Sequence, residues 1–242
     1  MTTLHSPTTF QPASELALEG PLRLQDRPDW VYLLREFEKH YRHGSSGGSK
    51  PIRSHMRQVR ERLSKILAGA SSLEPTLGQE LPVTAHLARA LDNARTGPTE
   101  SFARAIEKLT PNLRWQYGYR KMPKSLTRSY GFADIMGPKG PIYAETLILG
   151  FVLFAPGCVY PTHRHDGISE SYICVSGAVS ENDAGVYVPG SLIFNRPGLD
   201  HTITTSDREP VLLAYAWTGE PEALANVEMV LAKRRRTVKA VT

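Results

Sequence analysis

The sequence predicts a mainly β domain, a sandwich or barrel, preceded by an α-helical extension. Three observations predict it. From Trp30 to about Leu109 the apolar residues recur at the spacing of one helix face. After Pro111 the apolar runs shorten, β-branched and aromatic residues become denser, and turn-forming residues interrupt the chain roughly every eight to twelve positions. The length of 242 residues is enough for one such domain, its extension and a sizeable core.

Residues 1–25 read as a flexible leader, because "MTTLHSPTTFQPASELALEG" has neither the basic start nor the apolar run of a signal peptide. The helical region is expected over 26–112. Trp30, Leu33, Leu34, Phe37 and Tyr41 form one stripe, with Asp29 as its expected cap; "HGSSGGSKP" then breaks the chain. Ile52, Met56, Val59, Leu63, Ile66 and Leu67 form a second stripe, and Val83, Leu87, Ala90 and Leu91 a third. Phe102, Ile106 and Leu109 form a fourth, with Thr99 as its expected cap. The β domain is expected over 113–225, with strands in "TLILGFVLFA", "ESYICVSG", "GVYVP", "SLIFNR", "HTITT" and "VLLAYAW". Residues 226–242 form a C-terminal segment with a basic tail, and a short helix is expected in "GEPEALANVEMVLAKRRR".

Composition excludes several classes. Much of the net charge of +5 lies in "KRRRTVK" near the C-terminus, with no aromatic-interleaved basic face beside it, so no nucleic-acid partner is expected. Apolar runs such as "ETLILGFVLFAPG" fall well short of the roughly 18 residues of a membrane span. Cys158 and Cys174 form neither a CxxC pair nor a disulfide framework, which suits a reducing cytoplasm.

The chemistry concentrates in "YPTHRHDGISESY", residues 160–172. Alternate side chains of a strand share a face, so His163 and His165 point the same way. Glu170 follows after a short loop, with Tyr172 on the same face of its strand. A turn at Gly190, a strand and a Pro197-Gly198 turn then deliver His201 to the start of another strand. Three neutral imidazoles and one carboxylate suit a first-row divalent ion, with coordination positions left for water or substrate. The alternative is a set of satisfied polar groups in a β core; the paired spacing favours the metal.

The arrangement resembles the cupin superfamily. Gly157, His163, His165, Glu170 and Gly177 match its first motif, and Gly190, Pro197, Gly198 and His201 its second, with one residue more before the proline. The resemblance implies a double-stranded β-helix barrel with the metal inside its mouth. Within that superfamily, Tyr160 before the histidines, Tyr172 after Glu170, and the helical opening "DWVYLLREFEKHYR" resemble the cupin-type dimethylsulfoniopropionate lyases. "LRWQYGY", "ILGFVLFAPGCVYP" and "SGAVSENDAGVYVPGSLIFN" match their longer, DddL-like members, and the likeness runs from about Asp26 to Met229. Some members carry a histidine at the Glu170 position and a shorter spacer, a difference that bears on metal preference more than on reaction type.

This resemblance implies a carbon–sulfur lyase that cleaves a zwitterionic sulfonium, dimethylsulfoniopropionate, to dimethyl sulfide and acrylate by β-elimination. His163, His165, Glu170 and His201 would hold a divalent Fe, Mn, Zn, Co or Ni ion. Tyr172 takes the role of general base or, alternatively, of a ligand that substrate displaces. Tyr160 holds substrate or is the alternative base. A phenol of pKa about 10 needs a nearby cation to act at neutral pH. Trp217, at the family's spacing from His201, would face the sulfonium, with Tyr143 and Trp115 as further candidates. Asp166 and Asp200 flank the ligands and are expected to orient them or to lie in exposed loops. His40, His43, His55 and His86 are expected on the surface or in packing. The helical half either covers the mouth of the barrel or forms a homodimer interface. The rival readings are an Fe dioxygenase, an isomerase, and a non-catalytic cupin that binds a small acid.

Overall fold

A computed structural model describes residues 22–44, 49–119, 122–227 and 230–231. Residues 1–21 of the expected leader and the basic tail lie outside the described residues; the leader's last residues, 22–25, are instead packed, with Leu24 buried and its amide donating to the Ser71 carbonyl at 2.9 Å. The helical half contains α1 (Pro28–His43), α2 (Lys50–Ala68), α3 (Leu87–Ala94) and α4 (Glu100–Leu109), with a further short helix α5 at Lys124–Ser129 that the apolar spacing did not signal. The first stripe is buried as expected, Trp30, Leu33, Leu34, Phe37 and Tyr41 all facing the core. Two caps differ from expectation. Arg27 holds the cap position of α1, and Asp29 lies within its first turn. Thr99 does stand at the cap of α4, but its hydroxyl turns away to donate to the Val175 carbonyl at 2.7 Å, tying the helix to a strand.

Eleven strands are described: β1 (Tyr130–Gly137), β2 (Ile142–Tyr143), β3 (Leu147–Phe154), β4 (Val159–Arg164), β5 (Ser169–Ser176), β6 (Val179–Glu181), β7 (Val186–Tyr187), β8 (Leu192–Asn195), β9 (His201–Thr205), β10 (Val211–Thr218) and β11 (Val230–Leu231). A short helix α6 (Pro221–Ala225) separates β10 from β11. They form a six-stranded sheet in the order β2-β1-β3-β10-β5-β8 and a five-stranded sheet in the order β11-β4-β9-β6-β7. β1 and β6 carry few long apolar runs, so punctuation alone did not mark them.

The six-stranded sheet is buried on both faces, which explains the unbroken apolar run of β3. Leu149, Phe151, Leu153, Ile173, Val175, Leu212 and Ala214 point outward into a core shared with the helices. Phe37 and Phe102 meet Phe151 there, at ring-centroid distances of 5.7 and 6.1 Å. Ile148, Val152, Phe154, Tyr172, Cys174, Leu213 and Tyr215 point inward, toward the other sheet. The helical half therefore backs the outer face of one sheet and does not cover the mouth of the barrel. No described helix is long and apolar enough to cross a membrane.

Candidate metal and substrate site

The histidines come from the five-stranded sheet. β4 and β9 pair antiparallel with His163 opposite His201, and His165 follows directly after β4. The turn before β9 passes through Gly198 at φ +73°, a conformation a side chain would strain, and the Gly198 amide donates to the His165 carbonyl at 2.9 Å. That bond couples the two histidine-bearing loops. Glu170 and Tyr172 come from the other sheet, on β5, with Trp217 opposite Glu170 and Tyr215 opposite Tyr172 on β10. The two sheets thus bring three imidazoles and one carboxylate face to face.

The donor atoms of His163, His165, Glu170 and His201 all lie within 4.8 Å of one another, and all four residues are buried. Glu170 is the hub. Its Oε1 accepts from the Tyr172 hydroxyl at 2.5 Å and from Trp217 Nε1 at 2.7 Å. Its Oε2 accepts from Asn195 Nδ2 at 3.1 Å and lies 2.9 Å from His201 Nε2. Asn195 also donates to the buried Glu181 at 2.9 Å.

Burial sets the charge states. It opposes ionisation of Glu170, but the surrounding His165, His201 and His163 rings outweigh it and hold the carboxyl well below the usual range. Burial, reinforced by His201, pushes His163 down to about 3, and burial also lowers His165. His201 goes the other way: its contact with Glu170 outweighs burial. Tyr172 is pushed well above an ordinary phenol, first by burial and then by the Glu170 charge.

The residues fit a divalent cation. His163 Nδ1 and His201 Nδ1 hydrogen-bond the carbonyls of Pro161 and Leu199 at 2.9 and 3.2 Å, which leaves each Nε2 for the cavity. Both ring nitrogens of His165 are buried without a hydrogen-bond partner, and Nε2 of His201 meets only the Glu170 carboxylate, the condition of ligand atoms rather than of satisfied core histidines. A small cavity adjoins the cluster, walled by Tyr130, Phe132, Phe154, Tyr160, Tyr215 and Trp217.

The model of the dimethylsulfoniopropionate lyase family matches residues 55–213, about two thirds of the chain and all of the residues just described except Trp217 and Tyr215. A protein of Cereibacter sphaeroides provisionally named dimethylsulfoniopropionate lyase DddL is 54% identical over 215 residues, which is 89% of this chain and 93% of the relative. The chain belongs to the dimethylsulfoniopropionate lyase family.

Solved structures agree on the fold of this lyase family member. A chain from the crystal structures of the lyases RdDddP and RnDddQII superposes with a TM-score of 0.66 at 19% identity, over 86% of this chain and 99% of that one. DddQ from Ruegeria pomeroyi DSS-3 does so with a TM-score of 0.58 at 18% identity, over 78% of this chain and 98% of that one. The architecture is the cupin barrel with an N-terminal helical extension.

Within this lyase, Tyr160 lines the same cavity, its ring 4.8 Å from that of His163 and packed against Tyr119 and Tyr130 at 6.0 and 4.6 Å. Trp217 lies 4.6 Å from His165, ring to ring. Two candidates fail: Tyr143 is exposed on β2, and Trp115 is buried in the core between helices and sheet. Asp166 and Asp200 take the second of their two expected places, exposed and sharing Arg164, while backbone carbonyls orient His163 and His201. The sequence reading also missed Asn195, Glu181 and Tyr215. Tyr215 shares Trp217's face by strand alternation and was open to discovery; Asn195 meets Glu170 only through the pairing of β8 with β5.

Proposed function

We propose that this chain cleaves dimethylsulfoniopropionate to dimethyl sulfide and acrylate, with Tyr172 as the base. The observation that carries the reading is the buried 2.5 Å hydrogen bond from the Tyr172 hydroxyl to Glu170, beside the unpartnered ring nitrogens of His165. A divalent Fe, Mn, Zn, Co or Ni ion held by His163, His165, Glu170 and His201 would supply Lewis-acid neutralisation of the substrate carboxylate. Tyr172 then takes the proton from the carbon beside that carboxylate. The C–H electron pair becomes the new C=C bond, and the C–S pair leaves with sulfur as neutral dimethyl sulfide, which needs no acid.

The protein alone keeps Tyr172 protonated, because burial and the Glu170 charge both disfavour phenolate. Ligation of Glu170 would remove that repulsion, which makes the base role conditional on the cation. Trp217 and Asn195 hold Glu170 by one oxygen each, so the carboxylate keeps its aim while Tyr172 changes charge. Tyr160 and Trp217 wall the space where the rest of the substrate would lie. The free, buried thiols of Cys158 and Cys174 suit the cytoplasm as its place of work.

The test is headspace dimethyl sulfide released from dimethylsulfoniopropionate by the metal-loaded protein, beside its Tyr172→Phe variant. We expect the variant to lose about 10²-fold or more in kcat while it retains its metal. Full activity in the variant would remove Tyr172 from the base role, and no release by the parent with any of the five metals would end the lyase reading.

A further inference from the structure

Besides Glu170 and Glu181, the barrel holds a further inward carboxylate that the elimination does not use. Asp134, on β1, accepts a short hydrogen bond from the Tyr215 hydroxyl at Oδ1 and one from Gln116 Nε2 at Oδ2, at 3.2 Å. The geometry that permits the first bond is specific. Asp134 and Tyr215 both stand opposite Gly150, on the strand between theirs. A Cβ at position 150 would collide with the Tyr215 hydroxyl, so only glycine leaves the phenol a path across β3 to the acid. On its other side Tyr215 stands opposite Tyr172. Acid, phenol and proposed base therefore form one row across the sheet.

Two cavities meet at this row. The cavity beside the metal cluster is lined by Tyr215, Phe132 and Trp217. A second chamber shares Phe132 and Trp217 as walls and is lined further by Asp134, Tyr117, Ile148 and Lys139. Asp134 makes no ion pair among the described residues; Lys139 is exposed at the chamber and acts on the acid only from a distance. Burial pushes the Asp134 carboxyl up to about 6, with Tyr215, Lys139 and Gln116 opposing, so the group is ionised at neutral pH. Tyr215, pushed well above an ordinary phenol by burial and then by Asp134, stays protonated as the donor. Its ring lies 5.3 Å from that of Trp217 at 37°.

A sulfonium accepts no hydrogen bond and donates none of ordinary strength. What recognises it is an electron-rich aromatic face backed by uncompensated negative charge. Glu170 cannot supply that charge once a cation claims it. Asp134 can, and its hydrogen bond to Tyr215 draws electron density into the ring nearest the reacting space. We propose that the Asp134–Tyr215 pair recognises the cationic end of the substrate and selects organic cations over neutral molecules of the same shape. This inference rests on the elimination reading for the identity of the substrate.

The experiment compares two ligands that differ in that charge alone: dimethylsulfoniopropionate, and 4-methylpentanoate, the isostere whose branched end is uncharged, as competitive inhibitor. In Asp134→Asn, which keeps the shape and the acceptor for Tyr215, we expect KM for the sulfonium to rise about tenfold. The inhibition constant of 4-methylpentanoate should change less than about twofold and the metal content not at all. A parallel rise for both ligands, or a rise for neither, overturns the proposal, because a merely structural role does not distinguish charge. Should Asp134→Asn melt below the assay temperature, Tyr215→Phe takes its place with the same expectation. Should the parent release no dimethyl sulfide, the elimination reading falls by itself; the calorimetric ratio of the two dissociation constants in parent and variant then judges the pair.

Discussion

His55 Nε2 lies 2.7 Å from the Ser171 hydroxyl, so α2 grips β5 at the one residue between Glu170 and Tyr172. Tyr41 of α1 meets the same hydroxyl at 2.7 Å, and His55 Nδ1 reaches Thr218, beside Trp217, at 3.1 Å. All four groups are buried. The helical half thus touches the back of the strands whose fronts carry the site.

Removing that grip leaves the buried Thr218 hydroxyl unpaired and Ser171 with Tyr41 alone. His55→Leu should cost about 1–3 kcal/mol, seen as a denaturant midpoint shift without a change of slope. An unchanged midpoint would mean that the network contributes nothing to stability.

Two buried groups give stability opposite pH dependences. Burial pushes His55 down to about 4 from its usual 6.5, so between these values the unfolded chain binds more protons. Its contribution is complete above about 6.5 and falls by about 3 kcal/mol as the pH drops to about 4; the gap between parent and His55→Leu should widen with pH across that window. Asp134 is pushed up to about 6 from 3.8, so the folded chain binds more protons and stability falls as the pH rises through that range. Asp134→Asn should therefore gain roughly 1–2 kcal/mol on the parent at pH 7, allowing for the partial exposure of the side chain, and little at pH 4. Midpoints at both pH values check both signs.

A cation that binds the folded cluster alone raises stability by mass action, by about 4 kcal/mol at a thousand times its dissociation constant. Titrating Mn²⁺ or Zn²⁺ into chelator-treated protein should raise the melting temperature, and His163→Ala should abolish most of the rise. An equal rise in the variant would place the ion elsewhere.

Trp217→Phe keeps an aromatic wall and deletes the 2.7 Å bond to Glu170. We expect kcat to fall about tenfold, near the value of one hydrogen bond to a charged group, with KM for the sulfonium changed far less. A large KM effect with kcat intact would instead assign the indole to binding.

The candidate ligands were legible because their signal is local. His163 and His165 follow strand alternation, and Gly198 turns the chain before His201, so a short window of sequence contains the pattern. The helices α1, α2 and α4 were legible through apolar spacing, and so was the cap position of Thr99; the cap of α1 was not, and the Thr99 hydroxyl found a partner on β5 rather than in its own helix. Trp115 and Tyr143 illustrate the same limit: composition marks an aromatic residue but not the face on which it lands.

By itself, then, the sequence determined the order of elements, the double motif and the identity of the clustered groups that could hold a metal, all set by contacts between near neighbours in the chain. Only the tertiary structure decided that the helices back one sheet, that Asn195 and Trp217 hold Glu170, and that Tyr215 reaches Asp134 across 81 residues of sequence. Those relations depend on strand register and on a single missing side chain at Gly150, and register is fixed by the packing of both sheet faces together rather than by any one segment.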